Sequence, residues 1–309
     1  MTQKIAQAEE VSCNLCGGNE RRVVYKEQPE RTLDESYVYS QGMPEALVSQ
    51  LVQCKNCGLV FVSPRNNSNR IIKNYTEGLD YGYSSQKESR TKTFLKLVEY
   101  IERFHPPGRI LDVGCASGFF LHVAKSKGWQ TYGVEVNKKL ADYARNQLGL
   151  EVFRGALNEA SLAPESFDVV TLLDVIEHLP DPMSTLKEIN RTLKNDGLIV
   201  INFPNIESLS SRVFGRRWWF LLEEHLFYFS PRTLGMMSEK TEFQVLAVKP
   251  HFQKLTLGYL VHLLQAYYPN ISKVLKTILH STSMENLNIT YTAGQTTMVV
   301  KKSREQHHV

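Results

Sequence analysis

The segment Leu111-Asp112-Val113-Gly114-Cys115-Ala116-Ser117-Gly118 decides the fold. It joins a short apolar strand, predicted over 109–113, to a helix predicted over 119–127. Small residues at 114, 116 and 118 let the backbone approach a ligand closely. The N-terminus of the following helix adds the positive end of a dipole. The dinucleotide fingerprint G-x-G-x-x-G would need its third glycine at Phe119, so that pattern fails here.

An alternating pattern runs outward from this turn. Strands are predicted at 131–136, 151–153, 167–173 and 198–203, and helices at 139–148 and 182–193. Gly149 ends the first of those helices, and Asn195-Asp196-Gly197 forms a turn after the second. Later strands are predicted at 243–248 and 296–301, separated by a long apolar, helix-like segment. Upstream, Phe94, Leu97, Val98 and Ile101 give 91–104 helical spacing, stopped by His105-Pro106-Pro107-Gly108. Strands alternating with helices in this way mean a Rossmann-like, doubly wound α/β fold with a parallel sheet. Glu135 ends the second strand, 21 residues after Gly114, where a carboxylate can take both hydroxyls of a ribose.

The chain has 309 residues, 42% apolar and 22% charged, which excludes wholesale disorder. Lys and Arg number 36 against 32 Asp and Glu, and a net charge of +4 speaks against nucleic acid as partner. The first twelve residues hold no apolar core of a secretory signal, and no apolar run is long enough to span a bilayer. A cytoplasmic protein is the expectation, and reducing conditions there make paired thiols a metal site rather than disulfides.

Four of the 5 cysteines form two C-x-x-C-G pairs, Cys13 with Cys16 and Cys54 with Cys57. Two intervening residues let one tight turn aim both sulfurs at one ion. The glycine that follows permits the positive φ such a turn needs. Four thiolates close a tetrahedral site, which suits structural zinc and leaves no open position for catalysis; iron is the other metal such a site accepts. Residues 1–72 are therefore read as a small zinc-ribbon-like module, with strand candidates at 23–25, 37–39 and 59–62. A Tyr-rich connector and helix (73–104) leads to the main domain (105–303), which carries helical insertions at about 206–235 and 255–290 and a short tail at 304–309.

The D-x-G-x-A-x-G turn resembles the first motif of the class I S-adenosylmethionine (SAM) methyltransferases, with Ala116 standing where many members have glycine. Ser166-Phe167-Asp168-Val169-Val170, Asp174-Val175-Ile176-Glu177-His178-Leu179 and Leu193-Lys194-Asn195-Asp196-Gly197 resemble the later motifs of that superfamily. The resemblance implies that Asp112, Gly114 and Gly118 flank the methionine part of SAM and that Glu135 holds the ribose. It implies further that Ala156 and Leu157 border the adenine and that Asp174 faces the sulfonium side. The four cysteines, the connector and Glu223-Glu224-His225-Leu226-Phe227-Tyr228-Phe229-Ser230 are also similar to the nucleotide-sugar C-methyltransferases. That narrower resemblance implies a sugar near Tyr81, Tyr83, His178, Glu224 and His225. This chain departs from the group in its longer cysteine spacing, and the expectation from its 309 residues is that it lacks the further C-terminal domain of those enzymes.

SAM brings an electrophilic methyl, so alignment with the acceptor supplies much of the catalysis. An acceptor that also loses a proton needs a base. His225, with Glu224 to raise its basicity, is the first candidate and His178 the second. Glu177 reads as a support for its neighbours or as a carboxylate at a helix start. Trp218 and Trp219, beside Arg216 and Arg217, read equally as a wall against the acceptor or as core packing. Leu257, Leu260, Val261, Leu264 and Tyr268 form a stripe read as core or as a contact in a homodimer. The main expectation is methyl transfer to a sugar or related small molecule. The alternatives are an RNA methyltransferase with a zinc ribbon, and a SAM-binding interaction protein without catalysis.

Overall fold

A computed structural model describes residues 9–27, 49–65, 87–265 and 269–303. The expectations at 37–39, Tyr81, Tyr83 and Tyr268 lie outside the described residues.

The main sheet starts where the deciding segment predicts. β4 (Arg109–Val113) is followed by α2 (Phe119–Ser126), β5 (Gln130–Glu135), α3 (Lys138–Leu148) and β6 (Glu151–Arg154). Then come β7 (Phe167–Leu173), α4 (Pro182–Thr192), β8 (Leu193–Pro204), β10 (Phe243–Pro250) and β13 (Gln295–Lys302). Seven strands lie in the order β10-β13-β8-β7-β4-β5-β6, with β4 to β8 parallel and β13 antiparallel between β8 and β10. The strand order reverses between β4 and β7, so a crevice opens beyond their carboxyl ends.

Local chemistry explains the element ends. Asn137 caps α3 by accepting from the amides of Lys139 and Leu140, and Gly149 closes it in the left-handed conformation. Asp181 caps α4 from Ser184 N–H with Pro182 in the first turn. In β8, Leu198, Ile199, Val200, Ile201 and Phe203 are all at most 2% exposed, as expected of a strand covered on both faces. The 195–197 turn is absorbed into β8 as an irregularity: Phe167 pairs with Leu193 and Val169 already with Leu198.

Helix α1 (Lys87–Ile101) buries Leu97, Val98 and Ile101, and its Phe94 meets Phe120 of α2 edge to face. The segment between β10 and β13 is more than helical. It holds β11 (Gln253–Thr256), α7 (Leu257–Leu264), α8 (Pro269–Ser281) and β12 (Asn288–Tyr291), with β11 and β12 paired antiparallel. The segment after β8 supplies α5 (Leu209–Phe214), the two-residue strand β9 (Phe227–Tyr228) and α6 (Pro231–Lys240).

The cysteine segment forms β1 (Arg21–Tyr25), β2 (Leu51–Cys54) and β3 (Val60–Val62). Its sheet does not end there: β9 pairs with β3, Val60 opposite Tyr228 and Phe61 opposite Phe227. Leu15, Val52 and Phe61 share one apolar cluster with Leu226, Phe227, Phe229, Ile201 and Phe203, so the small sheet and the large sheet bury a common core. Burying each such side chain contributes about 1.5–3 kcal/mol.

Candidate functional site

The turn after β4 is shaped by two glycines. Gly114 has φ +73°, and a Cβ there would lie 2.7 Å from Val175 Cγ2; Gly118 has φ +79°, with Leu150 Cδ1 2.5 Å away. Ala116 also sits at positive φ, which is why a glycine suits that position as well. The turn is anchored to β5 by Gly114 N–H and Cys115 N–H, both donating to Val134 O. Glu135 completes the anchorage: one carboxylate oxygen accepts from Ala116 N–H and the other from Asn137 N–H, each at 2.8 Å. Glu135 is 6% exposed, and burial raises its carboxyl while those amides pull the other way.

A cavity of about 200 Å³ opens beside this turn, at the reversal of strand order. Asp112 lines it from β4, Gly114 from the turn that follows, Asp174 from just beyond β7 and Asn202 from β8. Arg90 of α1 and Lys254 of β11 reach it from the other side. Asp112 accepts from the Thr171 hydroxyl at 2.6 Å, yet burial pushes its carboxyl up to about 7. Asp174, at φ +58°, accepts from Asn202 Nδ2 and Gln295 Nε2. Local desolvation of its carboxyl group raises it to about 6, against the pull of Arg90 and the two amides, while the residue as a whole stays exposed. Two carboxyl groups facing one cavity, buried Asp112 and exposed Asp174, favour a cationic ligand. The buried Ser117 hydroxyl in the same turn has no hydrogen-bond partner among the described residues. A nucleoside carrying an amino acid and a sulfonium fits this donor set. Gly118, Glu135, Ala156 and Leu157 frame the turn and the adjoining strand ends without lining the cavity; Gly155 N–H donates to Glu135 O beside Ala156, and Leu157 is buried.

The histidines form a second cluster. His178, in the turn after β7, and His225, just before β9, stand with Glu177 so that their ligand atoms lie within 4.8 Å of one another. His178 Nδ1 donates to Glu224 O at 3.1 Å and His225 Nδ1 to Phe220 O at 2.9 Å. Those bonds put each proton on Nδ1 and leave Nε2 as the basic nitrogen. Burial lowers His178 to about 4, and burial with the charge of His178 holds His225 well below the ordinary range. Glu224 gives the pair a backbone carbonyl, while its side chain is exposed. The carboxyl group against His225 is that of Glu177.

Trp218 is 1% exposed among Leu51, Val60, Val62, Leu221 and Tyr228, so it is core and presents no face to an acceptor. Trp219 is half-buried and its indole N–H donates to Ala293 O. Cys13, Cys16, Cys54 and Cys57 converge, with Sγ atoms 3.4 Å apart for Cys13 and Cys57 and 3.5 Å for Cys16 and Cys54. Gly17 and Gly58 take positive φ and donate back to Cys13 O and Cys54 O, the knuckle geometry foreseen for C-x-x-C-G. This donor set fits one tetrahedral metal ion.

Arg90, Thr171, Asn202, Gln295 and Lys254 are site residues that sequence reading passed over. Asn202 and Thr171 carried a signal, each being a polar residue inside an apolar strand.

The comparisons with known proteins agree with this geometry. A chain in the complex between the Haloferax volcanii Trm112 methyltransferase activator and a putative methyltransferase is 16% identical, with a TM-score of 0.52 over 76% of this chain and 98% of that one. A putative methyltransferase from Bacillus halodurans is 15% identical, with a TM-score of 0.50 over 68% of this chain and 98% of that one. Both share the fold. The ubiquinone biosynthesis O-methyltransferase of Stutzerimonas stutzeri is 33% identical over 103 residues, 31% of this chain and 44% of that protein. The chain thus spans less than half the length of the curated relatives it matches. No helix among the described residues is long and apolar enough to cross a membrane. The methyltransferase domain family model matches residues 86–248, more than half of the chain, which holds both the glycine turn and the paired aspartates; the chain belongs to that family.

Proposed function

We propose that the protein transfers a methyl group from SAM to a small-molecule acceptor, a nucleotide-sugar, a glycan or a related compound. The observation that carries this reading is the pair of carboxyl groups, buried Asp112 and solvent-exposed Asp174, facing one cavity beside the glycine turn. Bound there, SAM supplies an electrophilic methyl on a cationic sulfur. Asp112 and Asp174 attract that cation. Glu135 keeps one lone-pair direction on each oxygen for the ribose hydroxyls while bracing the turn. His225 Nε2 takes the proton of the acceptor, with His178 second in line for that role. The four cysteines hold a zinc ion that stabilises β1 to β3 and, through β3, the β9 segment next to His225.

The relatives named for ubiquinone biosynthesis O-methylation favour a second reading, in which the acceptor atom is the oxygen of a non-sugar hydroxyl. RNA is disfavoured by the small net charge. One assay separates these readings: radiolabelled methyl transfer from SAM with pools of nucleotide-sugars, phenolic and quinol compounds, and total RNA. Label in the sugar pool supports the first reading. Label in the phenolic pool alone moves the acceptor to the second, and label in RNA overturns both.

A further inference from the structure

Glu177 is the buried charge that methyl transfer as described leaves without a task. It is 2% exposed, and neither of its carboxyl oxygens has a hydrogen-bond partner among the described residues. An ionised carboxylate in that position loses its hydration and regains nothing, so without a nearby cation it holds a proton. The groups around it are Asp174 just beyond β7, His178 next in the chain, and His225 and Tyr228 on the 223–228 segment, where Glu223 and Glu224 in turn act on Tyr228. Two of these are imidazoles, and the bond from His225 Nδ1 to Phe220 O leaves Nε2 as the basic nitrogen of His225. Asp174 repels an ionised Glu177 and also faces the cavity in which the cationic donor binds.

We infer that Glu177 is a positioning residue that gives up its proton to the solvent when the sulfonium enters the cavity, and that its carboxylate then holds the imidazolium formed on His225. The inference rests on the SAM-dependent reading above. In the step, the acceptor's O–H or C–H bond breaks and its proton passes to His225 Nε2. The electron pair left behind forms the bond to the methyl carbon, and the carbon–sulfur bond breaks with its electrons on sulfur. The site starts with one cationic sulfur and one carboxylate and ends with one imidazolium and the same carboxylate. Charge is conserved within a buried volume, so no ion needs to be moved in from water.

The test is calorimetric and needs no acceptor. The full-length protein is titrated with SAM and with neutral S-adenosylhomocysteine in buffers of different ionisation enthalpy at about pH 8.5, where Asp112 and Asp174, raised to about 7 and about 6, are already ionised. SAM is expected to release more protons than S-adenosylhomocysteine, by up to about one per site. The difference is expected to vanish in Glu177→Gln and to persist in Glu177→Asp. Equal release by the two ligands in the wild type overturns the inference while leaving SAM binding standing. A difference that survives in Glu177→Gln overturns it too, because Asp112 or Asp174 is then the source. Failure of both ligands to bind overturns the SAM-dependent reading itself. Should Glu177→Gln not fold, infrared spectra of wild-type protein labelled with carbon-13 glutamate decide. A protonated-acid band lost with SAM and kept with S-adenosylhomocysteine supports the inference, and a band unchanged by either ligand overturns it.

Discussion

The imidazole rings of His178 and His225 lie 4.5 Å apart, edge to face, with an interplanar angle of 78°. They come from segments 47 residues apart in sequence, one following β7 and the other preceding β9. Each gives its Nδ1 proton to a backbone carbonyl, and protonation of one opposes protonation of the other. The pair is therefore neutral at neutral pH.

Replacing that base removes chemistry and spares cofactor binding. His225→Ala is expected to lower kcat by about 10²–10⁴-fold, the span of general-base contributions. Affinity for S-adenosylhomocysteine, read by calorimetry, should stay within about threefold. A variant with wild-type turnover would remove His225 from the base role.

Glu135 is expected to behave in the opposite manner. Its carboxylate accepts from two backbone amides that shape the glycine turn. Charge-assisted hydrogen bonds contribute about 1.5–3 kcal/mol each. Glu135→Ala should weaken S-adenosylhomocysteine binding by about 100-fold or more and lower the melting temperature. Unchanged affinity would show that the ribose lies elsewhere.

Asp112 predicts a pH dependence of stability. Its folded value, raised by burial to about 7, lies above that of an unfolded aspartate. The folded state therefore binds more protons than the unfolded state, and this group's contribution to stability is lost as pH rises from the unfolded value through about 7. Relative to Asp112→Asn, the ligand-free wild type should lose about 2–3 kcal/mol between pH 5 and pH 8, seen as a relative fall of about 3–5 °C in melting temperature. Parallel pH profiles for the two proteins would contradict this account.

The cysteine site should matter to the histidine cluster because β3 pairs with β9. Purified protein is expected to carry about one zinc per chain by elemental analysis. Cys57→Ser, or removal of the metal by chelation, should lower the melting temperature. It should also speed amide hydrogen exchange at Val62, whose N–H donates to Leu226 O next to His225. Exchange confined to residues 9–27 would separate the metal from the site.

Trp218 tests core against acceptor wall. Trp218→Ala removes a fully buried indole whose N–H donates to the Ser210 hydroxyl. The expected cost is about 3–5 kcal/mol of folding stability. Loss of turnover with unaltered stability would restore Trp218 to the acceptor pocket.

The strand-helix order was legible because each step carries a local signal. Hydrophobic period, caps and glycine stops need no knowledge of distant residues. Predicted and observed bounds coincide for 109–113 and 167–173. Gly114, Glu135 and Asp174 were legible for the same reason: each stands at a strand end, and a parallel sheet brings those ends to one edge. The C-x-x-C-G pairs declare their chemistry through spacing alone.

Other features depend on packing between segments far apart in sequence. Nothing local in Phe227-Tyr228 announces a strand that completes the sheet begun at Arg21, because the pairing partner lies in β3. Glu224 and Glu177 are equally acidic neighbours of a histidine in sequence. The fold exposes the first and buries the second, since Leu226 N–H donates to Glu177 O and draws the two loops together. Trp218 and Trp219 are adjacent and alike, yet only Trp218 falls beneath Leu51 and Val60. Sequence by itself determined the alternating fold, the glycine turn and the spacing of the four convergent cysteines, because each is written in short-range pattern. Tertiary structure alone decided which carboxyl group meets His225 and which tryptophan is core, because burial is a property of what the rest of the chain lays over a residue.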